Sequence, residues 1–265
     1  MAFTADELRQ NPFGPTEKAP TETTEGLVPW RFMIGFAAIV TAIMIGVRVY
    51  QQIFAWSAGL DYFEPEFQTY WMTFLYAEWV LEAILATSLW GYIWVTRDRH
   101  LDQLEPVEEM RRYFRLVGLI FAYVFVVYWT GSFFAEQDGA WHQVALRDTD
   151  FTPSHIPLFY LTMPCYVIAG VSAFLYARTR LPEFANRISV PFVLGVAGPF
   201  LILPTLGYNE WGHTFFFMEE RFAASIHWGF VILGWTALAL GGLLFQILRR
   251  LAELTDIHGH VGTQD

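Results

Sequence analysis

Apolar blocks long enough to cross a lipid bilayer recur along this chain, and they constrain its fold more than any other feature. A spanning helix needs about 20 residues. The blocks fall near 27–53, 67–95, 113–135, 156–178, 188–208 and 222–248. Charged residues make up only 16% of the chain, against roughly 25% in a soluble domain. The expectation is an all-α polytopic bundle of about six transmembrane helices over 27–250. The fifth block contains Pro191, Pro199 and Pro204, which kink or interrupt a helix. Such a break survives in a membrane only where protein or a cavity satisfies the freed backbone groups.

Arg and Lys placement sets the expected orientation. The second connection holds Arg97, Arg99, Arg111, Arg112 and Arg115, and the fourth holds Arg178, Arg180 and Arg187. Arg9, Lys18, Arg31, Arg249 and Arg250 lie toward the ends, leaving only Arg48, Arg147 and Arg221 for the other side. The crowded side is read as cytoplasmic, with both termini there. Residues 101–115 read equally as a short amphipathic helix on the cytoplasmic surface or as a polar connection.

Residues 1–26 are polar, acidic and rich in Thr and Pro, without the basic start and apolar core of a cleavable signal. They read as a disordered cytoplasmic tail, and 251–265 as a second cytoplasmic tail. A net charge of −10 argues against nucleic acid, which needs clustered cations. Cys165 is the one cysteine. No disulfide can form within the chain, and Cys165 reads as a small buried hydrophobe.

Seven histidines are present, and they segregate. His100, His258 and His260 fall on the cytoplasmic side, and His142, His155, His213 and His227 on the other. Asp138 and His142 are four apart and would share one helix face, with His155 at the start of the fourth span. Two imidazoles and a carboxylate suit Cu(II), Zn(II) or non-haem Fe(II). A hydrogen-bonded loop with Asp138 capping a helix would have the same spacing.

Asn209 and His213 repeat the four-residue spacing, and His227 lies about a turn and a half inside the sixth span. An imidazole within a membrane usually has a partner. Asn is a weak neutral ligand, so a metal held here would be under-charged and open to a further ligand. Two core histidines bonded to backbone carbonyls would look the same. Trp211, Phe215, Phe216, Phe217, Met218 and Trp228 would make the surroundings dry. Glu219 and Glu220 read as solvated residues or as groups orienting a histidine.

Glu78 and Glu82, four apart in the second span, would relay protons, meet a neighbouring subunit, or bond to adjacent helices as neutral acids. Nucleotide fingerprints and Cys clusters are absent from the sequence. Haem needs only one or two His and stays open, although the paired four-residue spacing fits discrete metal ions better.

These stretches resemble a known family. Gly59-Leu-Asp-Tyr-Phe-Glu-Pro-Glu-Phe67, Glu136-Gln-Asp-Gly-Ala-Trp-His142, Arg147-Asp-Thr-Asp-Phe-Thr-Pro-Ser-His155 and Asn209-Glu-Trp-Gly-His-Thr-Phe-Phe-Phe-Met-Glu-Glu220 look like the C subunit of the copper-containing membrane monooxygenases. That group acts on methane, ammonia or short-chain alkanes. The resemblance runs from about residue 56 to 250. It implies assembly with A and B subunits as a trimer of heterotrimers in a bacterial plasma or intracytoplasmic membrane. It implies one copper site at Asp138, His142 and His155, where zinc would also fit, and a second at Asn209, His213 and His227. It further implies oxidation of a small substrate by O2 with two electrons, drawn from quinol. The second site, open and weakly charged, is the expected catalytic one. The stretch around Asp61 looks more like the hydrocarbon branch than the ammonia branch. Two rival readings are a structural subunit whose partner does the catalysis and an ion or proton transporter using intramembrane His and Glu.

Overall fold

The structure is a computed structural model describing residues 26–134, 137–138, 141, 144–147, 149–198 and 229–255. Among these residues every regular element is helical, and the one extended pairing is a single bridge between Asp61 and Arg147. Four helices are long and apolar enough to cross a membrane: α1 (Trp30–Ala58), α2 (Pro65–Val95), α3 (Pro106–Trp129) and α4 (Ile156–Arg180). They match the first four apolar blocks. Short helices α5 (Pro182–Asn186) and α6 (Val190–Ala197) follow. A wide-turn segment, Gly229–Leu240, then leads into α7 (Gly241–Leu254). The fifth and sixth blocks are therefore described only in part. Of the tail expected at 1–26 only Gly26 is described; of that expected at 251–265, residues 251–254 are the last turn of α7 rather than tail, and 256–265 lie outside the described residues.

Proline sets several helix starts. Pro65, Pro106 and Pro182 each occupy the first turn, where a missing N–H costs nothing. Glu108 and Glu109 add negative charge to the first turn of α3, which suits the positive end of the helix dipole. Ser189 caps α6 by accepting from the Phe192 amide at 3.2 Å. Residues 106–115 are the opening turns of α3 itself. The separate surface helix considered for 101–115 is not formed; a single short turn, Leu101–Gln103, precedes α3. Pro106 starts the helix early and the span then carries it on unbroken.

Burial follows the helical period. On α1 the buried residues are Val40, Met44, Val47, Gln51, Ala55 and Ala58, each three or four after the last. The opposite face shows Ile34, Ile39, Ile43, Ile45 and Ile53 to the outside, as a lipid-facing surface requires. Helix α3 packs most extensively against α4, α4 also against α2, and α1 against α3. One apolar cluster joins Met44, Tyr123, Val126, Leu158 and Tyr166. A second gathers Ala55, Phe67, Trp71, Leu75 and Ile156 directly beside His155.

The Arg-rich end is tied by ion pairs and carbonyl contacts. Glu109, 3% exposed, accepts two bonds from Arg250 at 2.8 and 2.9 Å, the paired geometry a guanidinium favours. Arg112 meets Asp98 at 2.7 Å. Arg180 donates to the Ile93 carbonyl at 3.1 Å and to the Thr96 hydroxyl at 2.6 Å. These contacts fix α7 on α3 and the end of α4 on the end of α2. The opposite end carries His155, at the start of α4.

Candidate metal centre

Thr152-Pro-Ser-His155 folds as a capped helix start. The Thr152 hydroxyl accepts from the amides of Ser154 (3.2 Å) and His155 (2.8 Å), and Pro153 needs no amide partner there. Helix α1 holds this turn from the side. The Gln51 amide nitrogen donates to the Pro153 carbonyl at 2.8 Å. Gly59 lies under the Pro153 ring, so close that a Cβ would stand 2.5 Å from Pro153 Cγ. Only a residue without a side chain allows that approach.

Gln137, Asp138 and Trp141 have helical backbone. Asp138 reaches the capped turn, where its Oδ1 lies 3.2 Å from His155 Nε2 and accepts from Ser154 Oγ at 2.6 Å. Since Ser154 gives its proton to Asp138, Thr152 Oγ1 donates to Ser154 across 2.7 Å. On the far side of the imidazole, His155 Nδ1 is 3.2 Å from the Asp150 carbonyl. A proton on Nδ1 donated to that carbonyl leaves the Nε2 lone pair facing Asp138, the arrangement metal-binding histidines adopt. Phe159 meets the ring edge-on at 4.9 Å and fixes its plane.

The separation itself tests whether a metal fits. Ligand bonds of about 2.0–2.1 Å at angles near 100° put two donor atoms roughly 3.1–3.2 Å apart. The observed 3.2 Å matches, and the donors are an imidazole nitrogen and a carboxylate oxygen, which suit Cu(II) and Zn(II). Among the described residues no three metal-type side chains come together; the sequence's third member, His142, lies outside them. Asn209, His213 and His227, the whole second set, lie outside the described residues, as do Glu219 and Glu220.

The loop beside the pair is clamped by Asp61. Its carboxylate accepts from Arg147 Nε at 2.6 Å and contacts Nη2 as well, and Tyr62 N donates to the Arg147 carbonyl at 3.1 Å. The hydrogen bond from Arg147 holds the Asp61 carboxyl below its ordinary range. Sequence reasoning missed this clamp, as well as the roles of Ser154 and the Asp150 carbonyl. Ser154 stood within a motif already singled out, whereas Asp61 and Arg147 are 86 positions apart.

Glu78 and Glu82 are 4% and 9% exposed on the inner face of α2. Both oxygens of Glu78 and one of Glu82 have no hydrogen-bond partner among the described residues. Neutral acids bonded to adjacent helices are therefore not what the described residues form. Cys165 on α4 faces the pair.

No curated protein matches the chain. The family model for the C subunit of ammonia monooxygenase/methane monooxygenase matches residues 16–258, nearly the whole length. That span covers the motif segments and all four described spanning helices, and the apolar helices are those of a membrane protein. The chain belongs to the family of C subunits of the ammonia and methane monooxygenases.

Proposed function

We propose that this chain is the copper-binding membrane subunit of a monooxygenase complex that oxidises methane or a short-chain hydrocarbon with O2. The observation that carries the reading is the Asp138–His155 pair, with its donor atoms at ligand spacing and both residues held by further hydrogen bonds. Asp138, His142 and His155 hold one metal, and Asn209, His213 and His227 hold the other. Both face the extracytoplasmic side. Zinc fits the donors of the first site and would make it structural.

The second set is the reacting one in this reading. A neutral Asn in place of Asp leaves the centre under-charged and open, which a catalytic metal needs. Bound copper there would supply the redox chemistry that activates O2 for insertion of one oxygen atom. The chain's own residues bind the metals, orient the imidazoles and keep water away with aromatic side chains. A and B subunits complete the complex, as a trimer of heterotrimers, and quinol supplies the electrons. Ammonia is the competing substrate. The resemblance of the Asp61 stretch to the hydrocarbon branch supports a hydrocarbon.

The test compares O2 consumption by the assembled complex with methane, propane and ammonia, for the native chain and for Asn209→Ala. The reading expects a hydrocarbon to drive consumption, and Asn209→Ala to abolish it with assembly unchanged. Turnover surviving in an assembled Asn209→Ala complex would make the second site structural. Consumption driven by ammonia alone would move the chain to the other branch.

A further inference from the structure

Arg48 lies inside the first apolar block, and its partners among the described residues are amides rather than carboxylates. Its Nη1 donates to Gln137 Oε1 at 3.1 Å, with a longer 3.5 Å contact to Gln51 Oε1. Gln52, with its amide oriented to satisfy both groups, accepts from Nε at 3.2 Å and from Nη2. Three amide oxygens therefore face the guanidinium. The Gln51 nitrogen is spent on Pro153. The amide nitrogens of Gln52 and Gln137 lie on the other side of each amide from the oxygen that meets Arg48. The result is one full positive charge framed by amide groups.

These groups line a cleft of about 310 Å³, bounded by Arg48, Gln52, Trp56, Gln137, Trp141 and Ser154 among others. Trp56, 61% exposed, meets Trp141 edge to face at 5.8 Å, giving the cleft an indole wall. Arg48 meets no carboxylate among the described residues, and a cation at the membrane edge favours an anionic partner. What complements cation and indoles together is an oxyanion attached to an apolar body. A guanidinium matches phosphate with paired bonds, and tryptophan favours the membrane interface.

Depth selects the source of that oxyanion. Sixteen uncharged residues separate Arg31 from Arg48, and the two are about 26 Å apart along the helix. The hydrocarbon core is about 30 Å thick. The two arginines thus mark opposite edges of that core, and Arg48 stands at the level of lipid headgroups, which its long side chain can reach.

We propose that the Arg48 cleft binds the phosphate of an anionic membrane lipid, bracing α1 against the segments that carry Asp138 and His155. Gln137 precedes Asp138, and Gln51 and Ser154 both reach the capped turn, so one lipid would contact both halves of the metal pair's support. The inference stands on the cleft alone and does not depend on copper or on the substrate.

The experiment is native mass spectrometry of the whole complex released from nanodiscs of phosphatidylglycerol or phosphatidylcholine. It is run for the native chain, Arg48→Gln, Arg48→Lys and Gln52→Met, with and without millimolar inorganic phosphate. The native complex is expected to retain phosphatidylglycerol on this subunit. Arg48→Gln should retain about tenfold less, the loss of one charge-assisted contact, with Arg48→Lys and Gln52→Met in between. Retention unchanged in an assembled Arg48→Gln complex would overturn the proposal. Displacement of the lipid by inorganic phosphate would overturn the lipid source and leave a soluble-anion site. Loss of assembly in Arg48→Gln, with no lipid held by the native complex, would overturn it in favour of a partner subunit's carboxylate.

Discussion

The carboxylate of Asp138 and the imidazole of His155 meet at 3.2 Å, each held by a partner that is not itself a metal ligand. Ser154 donates to Asp138, Thr152 donates to Ser154, and the Asp150 carbonyl faces His155 Nδ1. Removing such a support leaves the ligands in place but loosens their aim. Ser154→Ala is therefore expected to weaken metal binding at the first site by about 10–100-fold, with the complex still assembled. Competition with a copper chelator of known affinity reads this directly. Unchanged affinity would make the Ser154 bond incidental.

Gly59 tests the same support from below. A Cβ there would stand 2.5 Å from Pro153 Cγ and 2.6 Å from the Ala55 carbonyl, and neither is a flexible side-chain end. Gly59→Ala should cost about 1–3 kcal/mol, the usual penalty of overpacking, and lower copper affinity by moving the turn that carries His155. Gly91→Ala is the control, since nothing lies within 4 Å of its added carbon. Thermal unfolding of the two variants in detergent should separate them.

The Asp61–Arg147 clamp gives a pH dependence with a definite sign. The hydrogen bond from Arg147 holds Asp61 below its ordinary value of 3.8. The clamp's contribution is thus complete above that value and lost as pH falls through the lowered one. Amide protection of Tyr62 and Leu146, which bond to Arg147 and Leu60, should hold from neutral pH to about pH 4 and fall below it. Arg147→Gln should show the low-pH protection already at neutral pH. Protection that ignores both changes would show that the clamp does not order the loop.

The spans were legible because burial in a membrane bundle obeys the same three-and-four spacing that the apolar residues show in sequence. The ends were less so. Helix α1 runs on to Ala58, past the expected boundary at 53 and through Ser57, while Gln51 sits inside the expected span although it is polar. Gln51 is 5% exposed and belongs there because it holds Pro153. The approach of Asp138 to His155 was foreseeable from residue types. The Arg48 amide cluster and the Asp61–Arg147 clamp were not, since no local spacing records which distant helix a polar side chain will meet.

Glu78 and Glu82 form a step from edge to interior. Glu78 has both oxygens buried without a partner among the described residues, whereas only one oxygen of Glu82 is so enclosed. A relay would take a proton at Glu82 and hand it inward to Glu78. Glu82→Gln keeps size and polarity but cannot exchange a proton, so turnover should fall by about a hundredfold, the low end for general acid–base steps, with assembly unchanged. Turnover at the native rate would reject the relay.

The most direct measurement is copper quantification paired with electron paramagnetic resonance on the assembled complex in lipid, for the native chain, Asp138→Ala and His213→Ala. Each variant is predicted to lose one nitrogen-coordinated Cu(II) signal, and only His213→Ala to abolish substrate oxidation. Copper, signal and activity all surviving in assembled His213→Ala would contradict the assignment of the second set. Copper and signal surviving in Asp138→Ala would contradict the first.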